Sequence, residues 1–457
     1  MARDVRLIRS PLSVAGMVLT TISAVLFVVV FLADLFGFHS NPYLGIVFFL
    51  ILPSIFLLGL ALIPFGAWRE RRRRLAGKPP SEISWPRIDL NDPVQRRRAV
   101  FIFALTMANV VIVSLAAYRG VEYMDSVQFC GQVCHTVMQP EFVAHEDGPH
   151  SRVACVQCHV GPGASGFARS KVSGTRQLLA VTFHNYAQPI PTPVRTIGPA
   201  RETCEQCHWP EKFHGDIERR IVEYGSDEKN TESVTTLQVH VGGGNERLGI
   251  ATGIHWHMNV ANEIEYIATD EKRQMIPYVR LKDRMGNVRE YFAEGVKPEE
   301  LSKGERRRMD CMDCHNRPSH RIAATPERAV NEAMARGEIA KTLPYVHREA
   351  IKALKASYPS QDAAGEGISR ALREFYRSNY QQVDASQRVE IDKAVQAIQN
   401  INRRNVFPQM NVQFGTYPNN IGHIDFPGCF RCHDDGHKTK DGRKIGQDCE
   451  SCHAIQT

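Results

Sequence analysis

The sequence predicts a mainly α protein with three N-terminal transmembrane helices. A loop- and helix-rich domain with a small β-ribbon is expected to follow them. Three observations carry that expectation. Three long apolar runs fall within the first 118 residues, three later segments repeat apolar residues at helical spacing, and all twelve cysteines lie in close pairs that each end in histidine.

The apolar runs come first. Leu12–Phe38 holds one acid, Asp34, near its end, while Tyr43–Trp68 and Ala99–Tyr118 hold no charge. Each is long enough to cross a bilayer core, which takes about 20 helical residues. The first run is too long for a cleavable signal peptide, and a second span follows it within a few residues. Arginine sets the orientation. Arg3, Arg6 and Arg9 precede the first span, and Arg69, Arg71 to Arg74, Lys78 and Arg96 to Arg98 lie around the link between the second and third. The link between the first two, His39 to Pro42, carries no Lys or Arg. The positive-inside rule therefore puts the N-terminus in the cytoplasm and everything after Tyr118 across the membrane, on the oxidising side. The net charge of +7 follows this topology. No basic patch interleaved with aromatics points to nucleic acid.

The cysteine pairs carry the chemistry. They are Cys130/Cys134-His135, Cys155/Cys158-His159, Cys204/Cys207-His208, Cys311/Cys314-His315, Cys429/Cys432-His433 and Cys449/Cys452-His453. Disulfide frameworks do not require histidine after every second cysteine, and zinc knuckles do not place it there six times. Covalent attachment of haem c explains both features. Two thiols add to the two vinyl groups of one porphyrin, and the adjacent histidine supplies the proximal nitrogen to iron. Six covalently attached haems are expected. The first motif has three residues between its cysteines instead of two, which asks for a local bulge.

About 340 residues remain for six haems, too few to build an ordinary core around each, so the porphyrins are expected to form much of the interior. Pro326–Arg336, Ala363–Asn379 and Ser386–Asn402 read as helices, and Asn245–Arg289 as a small β-ribbon with a turn at Met285-Gly286-Asn287. The triplet Gly242 to Gly244 lacks the context of a phosphate loop and reads as a turn. The expected organisation is a membrane anchor over 1–118, a four-haem region over 119–320, a helical insertion over 321–410 and a two-haem module over 411–457.

Each iron needs a sixth ligand or an open site. Closeness along the chain to a haem motif singles out His150, His320, His423 and His437. His255 and His257 form HWH; if extended, both point to one face, where one coordinates and the other hydrogen-bonds, and His257 is favoured. Met138, three residues after His135, is either a thioether ligand that raises the potential or an apolar packing residue.

These segments resemble a known family. CHTVM (Cys134 to Met138), HSRVACVQCHVGPG (His150 to Gly163) and CMDCHNRPSH (Cys311 to His320) are similar to motifs of the membrane-anchored multihaem quinol dehydrogenases of the NapC/NirT/NrfH type. The three spans and two additional C-terminal haems depart from that core. RETCEQCHWPEKF, GIHWHM and PGCFRCHDDGH instead resemble the larger ImcH-like inner-membrane cytochromes. The resemblance implies electron transfer from membrane quinol, either menaquinol or ubiquinol, to periplasmic cytochromes or a reductase. It places Lys171 near the first haem and the quinol, although the same residue also reads as a solvent-exposed lysine. Asp147, Glu146 and Gln139 are candidates to take quinol protons. Two other functions stay open: an electron-transfer subunit of a larger membrane complex that owns the quinone site, and a terminal reductase with an open haem.

Overall fold

The computed structural model describes residues 10–35, 52–77, 79, 89–133, 135–160, 163–194, 199–209, 213, 215–244, 251–258, 262–283 and 285–456. Backbone packing divides the chain into two units, Met1–Asp125 and Ser126–Thr457.

The first unit contains three helices long and apolar enough to cross a membrane. They are α1 (Pro11–Leu35), α2 (Leu52–Leu75) and α3 (Pro93–Met124). The apolar runs located them, but the helices do not stop where apolarity stops. α2 continues through the arginine run to Leu75, and α3 begins six residues before Ala99 and ends six after Tyr118. Backbone hydrogen bonds propagate into polar sequence once a helix is nucleated. α1 and α2 pack closely through small residues. A Cβ on Gly59 would lie 2.4 Å from the Thr20 hydroxyl, and one on Gly16 would lie 2.7 Å from the Gly59 carbonyl. The Ser13 hydroxyl donates to the Ile63 carbonyl at 2.9 Å, a polar tie of the kind that joins helices in lipid.

The second unit has three structural parts. The helical insertion is built from α6 (Pro326–Ala335), α7 (Val346–Lys355), α8 (Gln361–Asn379) and α9 (Arg388–Asn405), following α4 (His135–Glu146) and α5 (Gly163–Thr182). Thr325 and Ser360 cap α6 and α8, accepting from Arg328 and Ala363 backbone N–H groups. Ile339, Leu343, Val346, Ile368, Leu372, Tyr376 and Ile398 are fully buried between these helices. α7 and α5 lie outside the helices read from sequence.

A three-stranded antiparallel sheet joins β1 (Asp216–Tyr224), β2 (Glu232–His240) and β7 (His453–Gln456), in that order. It was not expected, because its third strand comes from the far end of the chain. Its β1–β2 loop plugs into the helical insertion. The buried Asn230 amide donates to Lys341 and Leu343 carbonyls at 3.0 and 2.9 Å, and its oxygen accepts from the His347 N–H.

The expected β-ribbon is larger than foreseen. It is a four-stranded antiparallel sheet in the order β5 (Val288–Phe292), β4 (Tyr278–Lys282), β3 (Glu263–Ala268), β6 (Glu305–Arg308). Ile264, Tyr266, Val279 and Tyr291 form its buried face, with Trp256 and Cys432 packed against them. The Gly242–Gly244 triplet is a turn that runs into a two-residue pairing, Gly243 with Thr252 and Gly244 with Ala251. Gly242 has φ of +51°, which explains a glycine there.

Candidate haem sites

Each described cysteine motif closes one tight turn. Cys155–His159 and Cys311–Cys314 are α-helical, Ala200–Cys204 leads helically into the third motif, and Gly428–Arg431 and Cys449–Ser451 are 3₁₀. The His208, His315 and His433 N–H groups donate to the carbonyls of Cys204, Cys311 and Cys429. Such a turn holds the two cysteines and the histidine within one short stretch of backbone, as attachment to a single porphyrin requires. Asp310 caps the fourth motif and accepts from the Met312 N–H, while Asp313 reaches back to the Asp310 N–H. Asp313 is buried and also accepts from the Tyr266 hydroxyl at 2.5 Å.

The first motif differs. Phe129–Val133 forms a π-helical turn, which takes up one more residue than an α-turn. The residues between the two cysteines, one more than in the other motifs, begin in that turn. Gly131 is buried against Phe142, so closely that a Cβ would lie 2.1 Å from the ring. Cys134 lies outside the described residues, as do the side chains of His135 and Lys171.

The histidines come together in pairs. An imidazole nitrogen binds a metal at about 2 Å, so two rings on opposite faces of one iron have centroids about 6 Å apart. Among the described residues, five pairs that each hold one motif histidine meet that spacing. His159 faces His320 at 6.1 Å, His208 faces His150 at 6.1 Å, and His315 faces His255 at 6.3 Å. His433 faces His257 at 5.8 Å, and His453 faces His423 at 6.2 Å. The ring planes range from nearly parallel, 3° for His255 and His315, to nearly perpendicular, 80° for His257 and His433.

The second rings are also oriented for coordination. Nδ1 of His150, His255, His257 and His320 sits 3.2, 3.1, 2.8 and 2.9 Å from the carbonyls of Pro318, Val241, Ile254 and Glu141. That contact fixes the tautomer and leaves Nε2 as the free lone pair. Burial pushes His159, His255, His257, His315 and His320 below the usual imidazole range, which favours the neutral, ligating form. Glu141 further holds this region, pairing with Arg317 at 2.9 Å beneath the Tyr417 ring. The donor set and spacing fit haem c.

Two expectations are corrected. His437 follows His433 closely, but its Nδ1 meets Asp434 at 2.9 Å and its Nε2 meets the Ile276 carbonyl at 2.7 Å. Both nitrogens are engaged in a buried tie, so neither is left for iron. HWH is not extended: Ile254–Met258 is a 3₁₀ turn. At 3.0 residues per turn, alternate residues point to different sides, and His255 and His257 face different motif histidines. Met138 lies in helix α4, one turn beyond His135, and is half-buried.

Other candidates are less engaged with the ring pairs. Asp147 is exposed and pairs with Arg404 of the helical insertion at 3.0 Å. Glu146 is exposed and Gln139 half-buried. His145 lies 6.3 Å from His320, but its Nε2 is taken by the Val153 carbonyl.

Neighbouring motifs touch in chain order. Among the described residues, Cys130 lies near Cys155, Cys158 near Cys207, Cys204 near Cys311, Cys314 near Cys429 and Cys429 near Cys452. The cysteine motifs thus follow one another in space as they do in the chain.

No family model matches the chain, and no solved structure does. Among curated proteins it is 42% identical over 449 residues to the cytochrome c-type protein ImcH of Geobacter sulfurreducens, covering 98% of this chain and 88% of that protein. The repeated attachment turns and this near-complete match agree: the chain belongs to the ImcH family of multihaem c-type cytochromes.

Proposed function

We propose that the chain is a six-haem, membrane-anchored cytochrome that takes electrons from membrane quinol and delivers them to periplasmic acceptors. The observation that carries this reading is the set of cysteine-motif turns, five of whose histidines are faced by a second histidine. Haem c, when bound, supplies a one-electron iron couple whose potential follows its axial ligands.

In this reading the twelve motif cysteines hold the porphyrins. His135, His159, His208, His315, His433 and His453 are the proximal ligands. His320, His150, His255, His257 and His423 are the distal ligands for the second to sixth motifs. Two histidines per iron leave no open position at those five sites, which disfavours a terminal reductase.

The first motif is set apart. Its turn is π-helical and its cysteines are spaced by one extra residue. Its cysteines begin six residues beyond Met124, the end of α3. Met138, in the same helix as His135, is a proposed further ligand at this motif. Electron uptake at this motif fits its separate character and its closeness in the chain to the membrane. Lys171 in α5 and Asp147 after α4 are the proposed quinol-side groups, the first to orient the quinol oxygen and the second to accept a proton. The N-terminus and arginine run lie in the cytoplasm, and the haem-bearing unit in the periplasm. Periplasmic cytochromes or a reductase are the proposed acceptors.

The test is direct. Purified protein, with its haem content counted, is mixed anaerobically with reduced menaquinone or ubiquinone analogues. The reduced haem absorption band is expected to appear with either or both. No change with any quinol, while dithionite reduces every haem, overturns the reading. Activity that appears only with a co-purifying membrane partner assigns the quinone site to that partner.

A further inference from the structure

HWH occupies an unusual place. β2 ends at His240, and the chain then turns through Gly242, pairs briefly with Ala251–Thr252 and passes Gly253, whose φ is +80°. The Ile254–Met258 turn follows at once. Its three rings leave in three directions. His255 faces His315 of the fourth motif, Trp256 enters the core of the four-stranded sheet, and His257 faces His433 of the fifth. The turn is pinned at both ends. The His255 N–H donates to the Val241 carbonyl at 3.1 Å and the Trp256 N–H to Gly253 at 3.0 Å, while the Asn262 amide donates to the Trp256 carbonyl at 3.2 Å.

We infer that this single turn is a shared mount, delivering the sixth ligand to two successive haems, with Gly253 as the residue that positions both. The inference rests on the ring-pair reading proposed above. Gly253 has a backbone conformation that side chains avoid, and a Cβ there would lie 2.5 Å from the His240 carbonyl and 2.9 Å from Gly242 Cα. Both obstacles are backbone, so neither can rotate away. The turn must shift, and both rings move with it. The fourth and fifth haems therefore share one mechanical support at the point where the chain passes from its four-haem region to its last two.

The test uses the full-length, haem-loaded protein in detergent. Total haem is measured as the pyridine adduct, five-coordinate haem by carbon monoxide binding to the reduced protein, and low-spin signals by electron paramagnetic resonance. His255→Gly and His257→Gly are each expected to open one haem, and the double variant two. The lost low-spin signals should differ, since near-parallel rings give a rhombic spectrum and perpendicular rings a highly anisotropic one. Added imidazole should close each single opening. Gly253→Ala is expected to open two haems at unchanged total haem. If that variant loses haem, the histidine variants decide. The shared mount is overturned if the double variant opens only one haem, or if either single variant opens none. His320→Gly separates the two levels. If it opens its own haem while the HWH variants open none, only the shared mount fails; if it too opens none, the ring-pair reading fails as well.

Discussion

The helical insertion and the motif-bearing segments around it are held by different physics. Between Pro326 and Asn405, four amphipathic helices bury Leu343, Ile368, Leu372 and Ile398 completely. That is a core of the ordinary kind, closed chiefly by apolar area. The motif-bearing segments have short turns, two small sheets and few fully buried large side chains, Tyr266 and His437 among them. Their order comes from facing histidines, adjoining thiols and polar ties such as Glu141 with Arg317. The first region can close by itself. The second buries little apolar surface of this kind, and should need its haems to close.

The strongest way to break this contrast is to remove a haem. Replacing Cys204 and Cys207 together by Ala should cost one haem and open the motif segments to protease, while a fragment spanning Pro326–Asn405 survives. Equal digestion of both regions would erase the distinction. Next in size, Leu372→Ala should destabilise the helical insertion by about 2–5 kcal/mol, as buried leucines do, with the haem count unchanged; denaturant melts followed by circular dichroism measure it. A loss of haem instead would show that the insertion braces the haem chain. Gly131→Ala forces a methyl into the Phe142 ring and should cost about 1–3 kcal/mol of overpacking, concentrated at the first motif. Mass spectrometry should then find a fraction of the protein one haem short. The smallest effect is expected from Asp147→Asn. The exposed pair with Arg404 contributes at most about 1 kcal/mol, so stability should barely move. A drop in quinol oxidation at constant stability would assign Asp147 to proton transfer rather than to a tie.

The sequence showed this contrast unevenly. The attachment motifs were legible because their chemistry is local: two thiols and a histidine within one turn. The spans were legible from hydropathy, although not their ends, since a helix such as α3 runs on through Arg96 to Arg98 at one end and Arg119 and Glu122 at the other. His150, His320 and His423 were singled out by nearness to a motif, and each lies opposite a motif ring. The same rule misled for His437, whose nearness to His433 serves a buried hydrogen-bonded tie. It could not find His255, which faces a ring sixty residues further along the chain. What HWH does depends on whether it is extended or coiled, and the choice is made by Gly242, Gly253 and the end of β2. The three-stranded sheet was hidden for a related reason: β7 pairs with a strand more than two hundred residues earlier.

The central claim is that five of the proposed six haems are each held between two histidines. Near-infrared magnetic circular dichroism of the oxidised protein, scaled to its total haem, reads axial ligation directly. The account predicts bis-histidine intensity equivalent to at least five haems. Intensity equivalent to four or fewer would contradict it.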